Sequence, residues 1–351
     1  WSAPTRSAAV VLPPTRTTVL LPTGRSPRTM AGIRSVPLTQ GTQVIHETAK
    51  SIITRNTSPD IPFDRSINPY RGCEHGCIYC FARPSHAYWD MSPGLDFETK
   101  LIAKTNAAAL LEQQLSKPGY RCAPITLGAN TDPYQPIERE HRITRATLEV
   151  LLRYRHPVSI ITKGSLILRD LDLLAEMAKL NLVSVFISLT TLDDELKCIL
   201  EPRAAAPKAR LRAIRVLRQA GVPVGVLCAP MIPMINDSEL EALLTEARAA
   251  GAQSASYVML RLPLEVGTAV RRMAQNTLSA ACGTWMSLIR QTRGGEVYNS
   301  ESGSRMRGEG PFADLLARRY SIATTRLGLN RRESFHLTAT LLPTGRADVT
   351  L

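Results

Sequence analysis

Residues 66–80 read SINPYRGCEHGCIYC. Cys73, Cys77 and Cys80 fall within eight residues at C-x3-C-x2-C spacing, with Gly72 and Gly76 beside the first two, in a chain of 351 residues that has seven cysteines. Three thiols this close together are a metal-binding arrangement. Zinc would need a fourth ligand, for which His75 or His86 is at hand, but structural zinc sites join two short-spaced pairs from separate segments, and no second Cys-x-x-Cys or His pair occurs. His75, between two of the cysteines on a tight loop, is expected to face solvent or a backbone carbonyl. A cluster of iron and inorganic sulfide suits the spacing better, because compact loops carrying several thiolates are how such clusters are held. With three protein ligands a four-iron cluster keeps one iron open, the mark of a catalytic rather than a structural centre.

The other cysteines, Cys122, Cys198, Cys228 and Cys282, are scattered. They argue against a disulfide framework and for a reducing compartment, with the cytoplasm as the expected location. No stretch approaches the ~20 consecutive apolar residues that span a bilayer, so no membrane partner is expected. The net charge is +13, but residues 1–35 hold five arginines and no acid. The remainder is moderately basic, which fits a solvated surface as well as a polyanion site.

The elements that must position the thiols are legible from about residue 60 onward. PITLGAN (124–130), PVSIITKG (157–164), LVSVFISLT (182–190), VPVGVLCAP (222–230) and SASYVMLRL (254–262) are apolar, β-branched runs of strand length. Helical periodicity runs through 98–117, 142–155, 168–180, 207–221 and 236–251. Such alternation predicts parallel strands joined by right-handed helical crossovers. With RSINPYRG (65–72) as the first strand there are about six units, an α/β fold of the partial (β/α)6 TIM-like barrel type. Active sites of parallel barrels lie at the carboxyl ends of the strands, and the cysteine loop directly follows the first one. The strand ends also carry Asn130, Thr131 and Asp132, then Lys163, then Ser188 and Thr190. NTDPY (130–134) is also good turn chemistry, with Asp before Pro. Residues 1–50 are expected to form a poorly ordered leader, 51–293 the barrel domain and 294–351 a loop and helix extension, acting as lid or packing cap.

C-x3-C-x-aromatic-C, with Tyr79 before the last cysteine and a partial barrel behind it, resembles the radical S-adenosylmethionine (radical SAM) superfamily. LGANTDPYQPIE (127–138), APMIPMIND (229–237), MSLIRQTRGG (286–295) and MRGEGPFADLLARR (306–319) extend the likeness to a bacterial subfamily labelled DNA repair photolyase-like, after its similarity to spore photoproduct lyase. The stretch between RLPLEV (261–266) and WMSLIR (285–290) is shorter than in that subfamily and leaves the sixth helix open. The resemblance implies a radical SAM enzyme: a [4Fe–4S] cluster on Cys73, Cys77 and Cys80, S-adenosylmethionine chelated at the open iron, and an electron donor such as flavodoxin or ferredoxin. It implies reductive cleavage to a 5′-deoxyadenosyl radical that takes hydrogen from a substrate, with a nucleic-acid lesion the first expectation. Asp132 or Asn130 would take the cofactor ammonium, Lys163 or Arg203 its carboxylate, and Tyr79 would lie near adenine, with Ser188 and Thr190 as further contacts. Glu201 and Arg203 could instead pair with each other. Cys228 is the candidate hydrogen donor of a lyase reaction. The alternative is a non-catalytic zinc or iron-sulfur protein associated with nucleic acid; polar strand ends favour the enzyme, since an adaptor has no need of them.

Overall fold

Strands built from runs such as VSVFIS and VGVLCAPM are apolar on both faces and need cover on both, which favours a parallel sheet flanked by helices. The computed structural model describes residues 20–21, 41–331 and 337. Its strands are β1 (Leu20–Leu21), β2 (Thr42–Glu47), β3 (Ile53–Arg55), β4 (Arg65–Ile67), β5 (Tyr70–Arg71), β6 (Lys100–Lys104), β7 (Ile125–Leu127), β8 (Val158–Thr162), β9 (Val183–Ser188), β10 (Val224–Met231) and β11 (Ser254–Met259). One sheet has the order β11-β10-β9-β8-β7-β4-β3. Every pairing from β4 to β11 is parallel, and β3 adds an antiparallel edge on β4. Six parallel strands thus succeed one another in chain order without closing, the open partial barrel expected from the alternation.

Helices Ile143–Arg153, Leu171–Lys179, Pro207–Gln219 and Leu240–Ala250 join successive strands from β7 to β11. Their apolar stripes meet one face of the sheet: Leu148, Leu174, Ile214 and Leu243 share a core with Val158, Ile160, Val185 and Val226. Each such side chain removed from water contributes about 1.5–3 kcal/mol before conformational entropy is subtracted.

Three elements differ from expectation. The helical period over 98–117 is broken: Glu98 and Thr99 end the short helix Asp96–Thr99, Lys100–Lys104 is strand β6, aligned parallel with β2 and antiparallel with β5, and a longer helix forms only at Ala107–Leu115. Leu101, Ile102 and Ala103 are all buried, so packing against both neighbours overrides local propensity. Strands β1 and β2 fall within residues 1–50, the span expected as a leader; residues 1–19 and 22–40 lie outside the described residues. After β11 the open stretch contains two helices, Val266–Leu278 and Cys282–Gln291. Helix Gly310–Leu327 lies in the outer layer: Arg319 donates to Glu241 at 2.6 and 2.8 Å, and the Tyr320 hydroxyl donates to the Ala255 carbonyl of β11 at 2.7 Å. The last helix therefore flanks the final barrel strand. Before it, Gly303 N–H donates to Asp60 at 2.7 Å, tying the C-terminal segment to the β3–β4 loop across the open side of the sheet.

Candidate active site

The cysteine loop leaves β5 and folds back through two left-handed glycines, Gly72 at φ +73° and Gly76 at φ +65°. A Cβ on Gly72 would sit 2.7 Å from both Leu101 Cδ2 and the Phe97 carbonyl; one on Gly76 would press into Glu98 Oε2 and Arg203 Nη2. The loop is gripped from several sides. Cys73 N–H donates to Phe97 O at 2.8 Å, and Arg83 Nε to Cys77 O at 2.9 Å. Gln135, beyond β7, accepts from Glu74 N–H at 2.9 Å and donates to Gly72 O at 3.2 Å, while the Glu74 carboxylate accepts from Ile137 N–H at 2.7 Å.

Cys73 and Cys77 are buried and Cys80 is half-buried. Burial pushes the Cys77 thiol up to about 12 although the Lys163 ammonium opposes it. Burial, then Asp132 and the other two thiols, push Cys73 well above the ordinary thiol range. Two such buried thiols shed their protons together only against added positive charge, which a metal centre brings. A donor set of three thiols on one loop fits an iron-sulfur cluster. Among the described residues no three Cys, His, Asp or Glu side chains converge as for a single ion.

His75 does not face solvent: it is buried, and its Nδ1 lies 3.3 Å from Asp132 Oδ2. His86, the other candidate fourth ligand, places Nε2 3.0 Å from the Lys100 carbonyl. Asp132 also accepts from Tyr134 N–H at 2.9 Å, Thr162 Oγ1 at 2.6 Å and Lys163 N–H at 2.7 Å. Burial would raise its carboxyl, but His75, the Lys163 N–H and the Thr162 hydroxyl outweigh that and hold it at about 2. With these four partners Asp132 binds the ends of β7 and β8 to the loop, the turn role its sequence also allows. Asn130 turns elsewhere: its N–H donates to Asn68 Oδ1 at 2.9 Å, and its amide lines a cavity with Arg71, Ser85, Tyr88 and Trp89.

Tyr79 points its hydroxyl into a buried polar knot. It donates to Glu201 and shares a 3.3 Å hydrogen bond with Thr190, whose hydroxyl donates to Glu201 at 2.7 Å. Glu201 pairs with Arg210, not with Arg203, and Arg210 also donates to the Ser188 carbonyl at 3.0 Å. Burial alone would raise the Glu201 carboxyl, but Arg210 and Lys163 bring it down to about 2. Arg203 pairs with Glu98 and donates to the Glu74 carbonyl, clamping the loop from outside. The Lys163 ammonium stands 5.8 Å above the Tyr79 ring, within electrostatic reach of the Cys77 thiol and Glu201. Burial works against that ammonium, yet Cys77 and Glu201 hold it above the usual lysine range. It makes no side-chain hydrogen bond among the described residues. Thr131 donates to the Tyr70 carbonyl at 2.8 Å, a backbone tie.

Over the loop lies a second apolar cluster. Leu260, Leu262, Val266, Val270, Trp285 and Ile289 pack with Leu200, Ile232, Cys77 and Tyr79. The two helices after β11 are thus a roof against one side of the thiols.

Cys228 is not at the mouth. Side chains alternate along β10, so Cys228 shares a face with Val224 and Val226 and lies in the core beneath the helices, within electrostatic reach of Tyr320. Burial there pushes its thiol up to about 12. Sequence reasoning missed Arg210, Gln135, Glu98 and Arg83. Arg210 left a signal: it sits in the apolar stripe with Ala213, Ile214 and Leu217, where a charge demands a buried partner.

The family model of the Radical SAM superfamily matches residues 67–247. An uncharacterized protein of Mycobacterium tuberculosis is 43% identical over 204 residues, 58% of this chain and 60% of that one. An uncharacterized protein of Methanocaldococcus jannaschii is 28% identical over 173 residues, 49% of this chain and 62% of its own. The matched stretch thus spans about 60% of the length of these curated relatives. Among solved structures, spore photoproduct lyase complexed with dinucleoside spore photoproduct superposes with a TM-score of 0.59 at 14% identity, covering 82% of this chain and 80% of that one. At that identity the likeness is one of fold.

Proposed function

The chain belongs to the radical SAM superfamily, and from that premise we propose that it is an enzyme holding a [4Fe–4S] cluster on Cys73, Cys77 and Cys80 and using S-adenosylmethionine to attack a nucleic-acid substrate. The observation that carries this reading is three neighbouring thiols, two of them buried, at the carboxyl ends of parallel strands, with the Lys163 ammonium within electrostatic reach of Cys77. When bound, cluster and cofactor supply one-electron cleavage of the sulfonium to methionine and a 5′-deoxyadenosyl radical that takes hydrogen from a C–H bond.

The chain's own residues hold, orient and shield. Lys163, whose ammonium makes no hydrogen bond among the described residues, receives the cofactor carboxylate. Tyr79 is fixed by Glu201 and Thr190, so its ring is a rigid wall for the cofactor rather than a mobile side chain. Glu201, compensated by Arg210, keeps negative charge beside Lys163 and holds the lysine protonated. Asp132 positions, through His75 and the Lys163 backbone, the loop against the strand ends. The apolar roof of Leu260, Leu262 and Trp285 excludes water that would quench a radical. Support for a nucleic-acid substrate is the net charge of +13 and a fold shared with a lyase that binds a dinucleoside photoproduct. Cys228, buried beneath the helices, is not offered as a hydrogen donor.

The test is product analysis. Anaerobically reconstituted protein, given S-adenosylmethionine and a strong reductant, should release 5′-deoxyadenosine, and faster when ultraviolet-damaged oligonucleotide is added. A fully loaded protein that leaves the cofactor intact would end the enzymatic reading; release unaffected by any oligonucleotide would end the nucleic-acid part alone.

A further inference from the structure

The short helix Arg83–Trp89, which leaves the cysteine loop, ends in two exposed aromatic residues. Tyr88 is 88% exposed and Trp89 38%. Scattered exposed aromatics need no explanation, but these two line a cavity of about 280 Å³ together with Arg71, Ser85 and Asn130. Arg71 stacks its guanidinium 4.3 Å from the centre of the Trp89 ring. It meets Glu47 through Nε at 3.4 Å, and its two terminal nitrogens have no hydrogen bond among the described residues. Asn130 spends its amide nitrogen on a 3.4 Å contact with Ser85, which leaves Oδ1 without a partner among them. The cavity therefore combines a flat aromatic surface, a fixed cation with donors to spare, and an amide edge.

That combination matches a nucleotide. A base stacks on indole or phenol whatever its identity, worth about 1–3 kcal/mol per base when the aromatic is removed. A guanidinium pairs with phosphate oxygens, and an asparagine amide reads a base edge through its donor and acceptor. The location suits a chain laid across the barrel mouth: Asn130 follows β7, two residues before the carboxylate that ties the cysteine loop, and His86 of the same short helix packs beneath Gly72.

The geometry points to a base-stacking subsite in which one nucleotide of a single-stranded nucleic acid lies against Trp89 and Tyr88 with its phosphate on Arg71, outside the cofactor-binding strand ends. This rests on the reading of the substrate as nucleic acid. It reassigns Asn130 from the cofactor ammonium to substrate.

The experiment titrates the 351-residue chain at fixed salt with a single-stranded DNA 10-mer and with an abasic 10-mer of equal charge, read by fluorescence anisotropy of the labelled strand and by quenching of indole emission. The base-bearing strand should bind at least about tenfold tighter than the abasic one. Trp89→Ala should lose about tenfold or more in affinity together with the quenching, Trp89→Phe should recover most of the affinity, and Tyr88→Ala, a change at a residue too exposed to affect folding, should weaken binding several-fold. Arg71→Ala should weaken both strands alike. Equal binding of the two strands, or unaltered affinity in both Trp89→Ala and Tyr88→Ala, would overturn the subsite while leaving a nucleic-acid substrate in place. Failure of the wild-type chain to bind any oligonucleotide would remove both.

Discussion

At the scale of single residues, the thiols sit among charges that make sense only together. Lys163 lies within electrostatic reach of Cys77 and Glu201. If it receives the cofactor carboxylate, Lys163→Ala should keep its iron and lose about tenfold to a hundredfold in S-adenosylmethionine affinity, the usual worth of one charged hydrogen bond; equilibrium dialysis against labelled cofactor checks this. Glu201 and Arg210 form a buried pair. Because the Glu201 carboxyl is held at about 2, below its unfolded value, its stabilisation is complete above the ordinary carboxylate range and disappears as pH falls toward 2. Arg210→Met should cost about 3–5 kcal/mol at neutral pH, since it strands a buried carboxylate. Urea unfolding should show that cost shrinking on acidification, and Glu201→Gln added to Arg210→Met should restore part of the stability. The cysteines were legible because their signal is spacing along the chain. The partners of His75 and Arg203 were not, because each is chosen by elements distant in sequence: Arg203 meets Glu98, and His75 meets Asp132.

At the scale of elements, the loop depends on two glycines, and a comparison of substitutions separates backbone cost from collision. Gly119, at φ +78°, has nothing within 4 Å of an added Cβ, whereas Gly76, at φ +65°, has Glu98 and Arg203 pressed against it. Gly119→Ala should cost only the backbone term, about 1 kcal/mol. Gly76→Ala should in addition break the clamp, so iron incorporation should fall sharply while far-ultraviolet circular dichroism stays that of the folded chain. Equal iron content in the two variants would mean that the clamp does not shape the loop. The strands from β7 to β11 were readable as β-branched apolar runs bounded by turn residues. Strand β6 was not, because KLIAK shares the helical period of the adjoining Ala107–Leu115 helix and becomes extended only when β2 and β5 pair with it. Cys228 failed for a related reason: its place near a strand end was visible, but the face it takes is set by the alternation along β10 and the helices above it.

At the scale of the whole molecule, six parallel strands in chain order leave an open side, and the C-terminal segment spans it before its helix settles on the outer layer. The Arg319 contacts are partly solvated, so Arg319→Ala should cost no more than about 1 kcal/mol, yet limited proteolysis should then release the last helix sooner than in the wild type. That the barrel was open could be counted from its units; that the last helix flanks β11 could not, since an amphipathic stripe names no partner. The central claim is that the cysteine loop carries an open iron-sulfur cluster, and its most direct test is metal and sulfide analysis of anaerobically reconstituted protein. About four irons and four acid-labile sulfides per chain are expected, abolished by alanine at Cys73, Cys77 or Cys80 and untouched by alanine at Cys228. Stoichiometric zinc retained in place of iron, or a full complement of iron in any of the three loop variants, would contradict it.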